Sequence, residues 1–255
     1  MQRIYRFLQH LSLVLDFFVT AKWIQTFTKD PILRRKRYVH NTNRICQKFI
    51  KAFRISLTVK QPERLAAMKD QAYLLVSNHV SYTDIILLSS LEQLAFITSV
   101  EMGNNYFLGP VTRMGGSLYT DRKSPVGLKG EIEKFSTAIR DGFKVALFPE
   151  GTSTDGRELR SFRSSLFQVA VNAQCSILPL CIKYKSLDGK AIDDSNRDLI
   201  YWYGDMDFAP HFMKLLNRQI SVEIHVLEAV AQVEGKTRAE LSDAVFRQIH
   251  DCYHS

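Results

Sequence analysis

Only four cysteines occur in 255 residues (Cys46, Cys175, Cys181 and Cys252), and none forms a CxxC pair. A disulfide scaffold and a zinc ribbon are thereby excluded, and buried free thiols in a reducing compartment are expected, Cys175 and Cys181 lying at an apolar run. Twelve glycines and seven prolines are too few for a collagen-like or low-complexity chain. The sequence has no GxGxxG, no GxxxxGK[ST] and no GxSxG; Gly151-Thr-Ser153-Thr-Asp155 comes nearest to the last and ends in Asp. Nucleotide-dependent redox chemistry, P-loop hydrolysis and the α/β-hydrolase elbow all lose their usual signatures. Long apolar runs are missing too. The longest mostly apolar stretch, residues 11–19, has nine residues and contains Asp16, whereas a bilayer crossing needs about 20.

Charge is abundant but uneven. Residues 1–60 hold 13 Lys and Arg against two acids, a net +11, and the rest of the chain carries −3. The basic excess belongs to an N-terminal arm, which suits nucleic acid, an anionic membrane or an acidic protein. Ile4, Phe7, Leu11, Val14, Phe18 and Ala21 recur at spacings of three and four, widened by Leu8, Leu15 and Ile24. That pattern predicts an amphipathic helix lying in a membrane interface. No small-residue cleavage site follows it, which argues against a signal peptide. Asp30-Pro31 predicts the N-cap and first turn of a second helix, carrying Arg34-Arg35-Lys36-Arg37 and the apolar positions Ile45, Phe49 and Phe53. We expect residues 1–58 to form a basic, membrane-docking helical pair on an anionic surface, and residues 59–255 to form an α/β domain.

The remainder alternates strand and helix signals. Short apolar runs at 72–77, 94–100, 117–120, 144–148 and 177–184 predict buried strands, and the period-two pattern at 220–227 a half-exposed one. Helical spacing covers 130–140, 162–173 and 237–253, while 186–217 reads as irregular. The expected fold is α/β, a mixed sheet flanked by helices.

Ligands of open α/β sheets collect at the carboxyl ends of strands. Two strand ends carry reactive residues: Asn78-His79-Val80-Ser81-Tyr82-Thr83-Asp84, and Phe148-Pro149-Glu150-Gly151-Thr152. In a continuous helix His79 and Asp84 would not share a face. A turn at Val80-Ser81 that starts a helix near Tyr82 brings Asp84 back to the imidazole, an arrangement suited to a general base.

Asn-His-x-Ser-x-x-Asp followed by the glutamate of Phe-Pro-Glu-Gly-Thr resembles the glycerolipid acyltransferases, in particular the 1-acyl-glycerol-3-phosphate (lysophosphatidate) acyltransferases, over roughly residues 60–230. Gly109, Gly115-Gly116 and Asp121-Arg122 resemble the family's second block, and Ile177-Leu-Pro179-Leu its fourth. The basic helical pair resembles its membrane-docking hairpin. The resemblance implies direct acyl transfer from acyl-CoA or acyl-carrier protein to a lysolipid hydroxyl. His79 would act as base, oriented by Asp84, and Arg122, Glu150, Gly151 and Thr152 would hold the acceptor's head. Asn78, Ser81, Arg157, Arg160 and Arg163 are further candidates. Neither a metal nor a cofactor is implied, and the expected location is the cytoplasmic face of a membrane.

Three positions depart from the family pattern. Ser153 stands where an arginine usually follows Phe-Pro-Glu-Gly-Thr, Ser99-Val100-Glu101 replaces a lysine, and Phe162-Arg163-Ser164-Ser165 replaces Phe-Lys-x-Gly. Fewer cations favour a phosphomonoester acceptor less. The run through Thr154-Asp155-Gly156, with Gly204-Asp205-Met206 and His211, looks more like the branch that contains lyso-ornithine-lipid acyltransferases. The acceptor expected first is 1-acyl-glycerol-3-phosphate, with lyso-ornithine lipid or another lysophospholipid as the alternative. A non-catalytic membrane-binding protein explains the arm but leaves His79 and Asp84 idle. Nucleic-acid binding fits the pI of 9.3 but not helices with broad apolar faces. His250-x-Cys252-x-His254 is the one cluster with metal-ligand spacing, and it reads as a helix end.

Overall fold

The computed structural model describes residues 2–121 and 127–255, with side chains from residue 4 onward. Two long helices come first, α1 (Gln2–Phe27) and α2 (Pro31–Ala52). Asp30 caps α2 by accepting from the Leu33 N–H at 2.6 Å, and Pro31 occupies the first turn, where a missing N–H costs nothing. Then follow β1 (Ile55–Lys60), α3 (Pro62–Ala67), β2 (Leu74–Ser77), α4 (Tyr82–Leu91), β3 (Leu94–Ser99), α5 (Val100–Asn104), α6 (Leu108–Met114) and β4 (Leu118–Thr120). The second half contains α7 (Leu128–Arg140), β5 (Lys144–Leu147), α8 (Gln168–Ala173), β6 (Ile177–Leu187), β7 (Lys190–Ala191), α9 (Phe208–Leu215), β8 (Ile220–Val226) and α10 (Arg238–His254).

The sheet runs β1-β8-β6-β2-β5-β3-β4, with β7 added as a short hairpin on β6. The pairs β1–β8, β6–β2, β2–β5, β5–β3 and β3–β4 are parallel, while β6 meets β8 and β7 antiparallel. The sheet is therefore mixed and flanked by helices, as the alternating patterns imply. Because successive strand residues face opposite sides, β2 feeds two cores. Leu75 joins Phe53, Leu87, Leu88 and Leu215 on the side of α2, α4 and α9. Leu74 and Val76 join Phe135, Ile139, Leu241 and Val245 on the side of α7 and α10.

Strand β1 is absent from the expected elements, although Ile55, Leu57 and Val59 alternate with polar residues. It pairs with β8 from Ile55↔Ile220 to Lys60↔His225, so the expected division at residue 58 falls inside a strand. The region 186–217, expected to be irregular, contains β7 and α9. Residues 164–167, expected as helix, form a tighter 3₁₀ turn leading into α8.

The arm packs on the domain rather than standing apart. Helix α2 lies against α4 and α1 against α2. Phe17, Ala21 and Ile24 are the buried side of α1, the last two gathered with Tyr38 of α2. Asp16, the acid inside the apolar stretch, accepts from both guanidinium nitrogens of Arg44 (2.9 and 2.7 Å) and from Lys48 Nζ at 2.9 Å. The Arg44 hydrogen bond holds that carboxyl well below the usual range. Opposite the buried side, Phe7, Leu11, Leu15, Val19, Trp23 and Phe27 are exposed at a strict spacing of four.

Candidate active site

The site begins where β2 stops. Asn78 is fully buried and bridges to β6 with both ends of its amide, donating to the Ile182 carbonyl at 3.0 Å and accepting from the Ile182 N–H at 2.8 Å. It therefore aligns the strand end, and its polar atoms are already used. Three residues on, the Ser81 hydroxyl donates to the Ile200 carbonyl at 2.7 Å, and the Trp202 N–H donates to the Val80 carbonyl at 2.9 Å. Ser81 is also the N-cap of α4, in a capping box with Asp84. The chain thus leaves β2, turns at Val80-Ser81 and enters the helix at Tyr82, the geometry needed to return Asp84 to His79.

His79 Nδ1 lies 2.8 Å from Asp84 Oδ2. The same oxygen accepts the Val80 and Ser81 N–H groups at 2.7 and 2.9 Å, and Oδ1 accepts the Tyr184 hydroxyl at 2.6 Å. Asp84 is completely buried, and four donors make it tolerable there as a carboxylate. With the ring proton on Nδ1, facing the carboxylate, the lone pair sits on Nε2. The His79 side chain is 15% exposed, so the imidazole is not sealed from solvent. Phe148 stacks on the ring at 4.1 Å and 12° and restrains its tilt.

Glu150 ties the second strand end to the first. Its Oε1 accepts the His79 N–H at 2.7 Å and its Oε2 the Arg160 N–H at 3.0 Å. It is only 3% exposed, and burial pushes its carboxyl up to about 7. Both oxygens bond to backbone, so Glu150 buckles the two loops together.

The remaining candidates divide. Gly151, at φ +79°, and Arg163 line a cavity of about 170 Å³ with Thr120, Asp121, Phe148 and Leu166. A Cβ on Gly151 would sit 3.1 Å from the Arg163 guanidinium carbon, so glycine permits both the turn and that approach. Thr152 is exposed beside it. Arg160 contributes its N–H to Glu150, and its side chain points to solvent. Arg157 is ion-paired with Asp155 at 3.7 Å and Asp194 at 3.2 Å. Arg122 lies outside the described residues, next in sequence to Asp121. Sequence reasoning missed Phe148 and Tyr184. The first precedes Pro149-Glu150 and could have been suspected from its place at a strand end. Tyr184 is 100 residues from its partner Asp84, and no local signal marks it.

An acyltransferase family model matches residues 56–183. The chain is 29% identical over 184 residues to a lyso-ornithine lipid O-acyltransferase of Rhizobium meliloti, covering 69% of this chain and 63% of that protein. It is 34% identical over 174 residues to a protein of the same name from Pseudomonas aeruginosa, covering 68% and 64%. A 1-acyl-sn-glycerol-3-phosphate acyltransferase of Neisseria meningitidis is 24% identical over 203 residues, covering 78% and 74%. The chain thus spans somewhat under two thirds of the lyso-ornithine relatives it matches. The crystal structure of the 1-acyl-sn-glycerophosphate acyltransferase PlsC from Thermotoga maritima superposes with a TM-score of 0.63 at 19% identity, over 98% of this chain and 96% of that one. At that identity the likeness is one of fold.

Proposed function

Since the chain belongs to the acyltransferase family, we propose that it transfers a fatty acyl group from a thioester to the free hydroxyl of a lysolipid, with His79 as general base. The observation that carries the reading is the 2.8 Å bond from His79 Nδ1 to a fully buried Asp84, which leaves Nε2 as the basic atom. Nε2 takes the hydroxyl proton as the oxygen attacks the thioester carbonyl. Collapse of the tetrahedral adduct breaks the carbon–sulfur bond, and the departing thiolate takes the proton back from the imidazolium. No acyl-enzyme forms, and no metal or cofactor enters the scheme. Acyl-CoA or acyl-carrier protein serves as donor.

For the acceptor we favour a lyso-ornithine lipid, on the names of the relatives with 29–34% identity and on Ser153 in place of an arginine. Arg163, which lines the cavity, suits the acceptor's carboxylate. The second reading, 1-acyl-glycerol-3-phosphate, rests on the Neisseria relative and on Arg122, which the family resemblance sets at the acceptor's phosphate. Incubation of the protein with labelled acyl-CoA or acyl-carrier protein and a panel of both lysolipids tests the proposal. Product in wild type and none in His79→Ala supports it; equal turnover in the variant overturns it.

We place the enzyme on an anionic membrane, on the cytoplasmic face. Helix α1 is long and apolar enough to cross a bilayer. It carries Asp16 clamped by Arg44 and Lys48, however, and buries one side on the domain. A helix with one face packed and one exposed apolar stripe suits the interface, with the stripe pointing into lipid.

A further inference from the structure

Beyond the His79–Asp84 pair, the carboxylate has a second oxygen, and something holds it. Tyr184 Oη donates to Asp84 Oδ1 at 2.6 Å, and Tyr184 Oη lies 2.5 Å from Thr83 Oγ1. A phenol has one proton, and a carboxylate can only accept. Tyr184 therefore gives its proton to Asp84, and Thr83 donates to Tyr184. The hydrogen bonds run in one direction: Thr83 to Tyr184, Tyr184 to Asp84, and His79 Nδ1–H to the other oxygen of the same carboxylate. All three supporting groups are buried, and burial beside Asp84 holds the Tyr184 phenol well above its usual range, so the donor keeps its proton at any working pH.

We propose that Tyr184 is a positioning residue that, acting through Asp84, fixes the orientation and proton affinity of His79; the proposal rests on the reading of His79 as the base. The physical reason is the sharing of one negative charge. A donor on Oδ1 draws charge from Oδ2 and so limits how strongly the carboxylate favours the imidazolium. It also stops the carboxylate from rotating about its χ2 axis, because both oxygens are pinned. Without the hydroxyl, Oδ1 is a buried oxygen with no donor among the described residues. The carboxylate then gains from a protonated partner, and His79 holds its second proton to higher pH. The other titratable groups facing this pair are Glu150, Tyr201 and Tyr253. Burial pushes Tyr201 up to about 12, and Glu150 is the one group among them that titrates near neutrality.

The test is Tyr184→Phe, which keeps the ring in the core and removes one oxygen, with Thr83→Val as the second variant should the first fold poorly. Thr83→Val leaves the Tyr184–Asp84 bond but removes the donor behind it, so a smaller effect of the same sign is expected. In Tyr184→Phe, kcat should fall about tenfold, with KM for the lysolipid within about twofold, since the residue does not touch the acceptor. The acid limb of kcat/KM should move to higher pH by half a unit or more. A tyrosine needed only for packing would lower the melting temperature and leave that limb in place; that result overturns the proposal. Nitrogen-15 NMR titration of His79 in both proteins supplies a readout that needs no turnover. If His79→Ala keeps full activity, the base assignment falls, and the NMR shift alone then decides whether the relay exists. Identical His79 titration curves in wild type and Tyr184→Phe refute it.

Discussion

Replacing Glu150 with Gln keeps the shape of the buckle and removes its charge, and the two consequences pull in opposite directions. A carboxylate accepts from both the His79 and Arg160 N–H groups. An amide has one carbonyl and one NH2, so one of those N–H groups must face a donor. Leaving a buried donor unsatisfied costs about 1–3 kcal/mol. Against this stands the burial of charge, which raises the carboxyl from an ordinary 4.5 to about 7. The folded protein thus holds that proton more tightly than the unfolded chain does. Its contribution to stability is complete below pH 4.5, falls as pH rises toward 7 and is flat above. At 1.36 kcal/mol per unit the full swing is about 3 kcal/mol, of which about 2.5 lies between pH 5 and 8.5. Glutamine cannot ionise and has no such swing. Urea denaturation should therefore find Glu150→Gln less stable than wild type at pH 5, and equal or more stable at pH 8.5. Parallel stability curves for the two proteins would show that Glu150 does not change protonation in that range and would refute the reasoning. Activity gives the second readout. A lost link to the His79 backbone should lower kcat by about tenfold or more at both pH values, whichever protein is the more stable.

His79→Ala and Asp84→Asn should each lower kcat by at least about a hundredfold in the lysolipid assay, because one removes the base and the other reverses the partner of its ring proton. Gly151→Ala forces a side chain into φ +79° beside Arg163. It should cost about 1 kcal/mol in thermal unfolding and raise KM for the acceptor more than it lowers kcat. Changing Leu11, Leu15 and Val19 to Gln should weaken binding to phosphatidylglycerol vesicles at every ionic strength in a sedimentation assay. Changing Arg34, Arg35, Lys36 and Arg37 to Gln should weaken it at low salt, by about 1 kcal/mol per charge that faces the lipid, and less at high salt. Unchanged vesicle binding of the Leu11/Leu15/Val19 variant would remove the stripe as the docking element.

The dyad was legible because its geometry is local. Asn78 to Asp84 spans one strand end, one turn and one helix start, and Ser81 followed by Asp84 three residues later is a capping box in the sequence itself. The same box that starts α4 delivers the carboxylate to the imidazole. Strand β1 was legible by its alternation but hidden by its place, directly after a helix of the basic arm. Glu150 was legible as a site residue and not as a buckle, since its partners are backbone groups 71 and ten residues away. Nothing in a side-chain pattern reports where a distant N–H will point. Tyr184 lies further out of reach. Its position in β6 faces the dyad only because β6 pairs with β2 in the register that puts Leu180 beside Ser77 and lets Asn78 grip Ile182.

The arm shows how a pattern can be right in kind and wrong in detail. The sequence carries one broad apolar face on α1, and periodicity alone cannot say which part of it meets protein and which meets solvent. The choice is made by Asp16. Its carboxylate must be paired when it sits inside an apolar helix, and Arg44 and Lys48 on α2 are the cations that reach it. That clamp fixes the rotation of α1, which buries Phe17, Ala21 and Ile24 and turns Phe7, Leu11, Leu15, Val19, Trp23 and Phe27 outward. The tetrabasic cluster is likewise less free than its composition implies. Arg35 and Lys36 lie over the Phe143 ring at 5.9 and 5.7 Å, and Arg37 donates to Thr28 at 2.7 Å. Two of the four cations thus also hold the helical pair to the domain, and a third ties α2 to the turn before it. If the arm docks on an anionic surface as proposed, attraction to lipid and attachment of the arm draw on the same side chains, so the salt dependence of vesicle binding should be shallower than four free charges would give. On that proposed role, the outward stripe is left to carry the depth of docking.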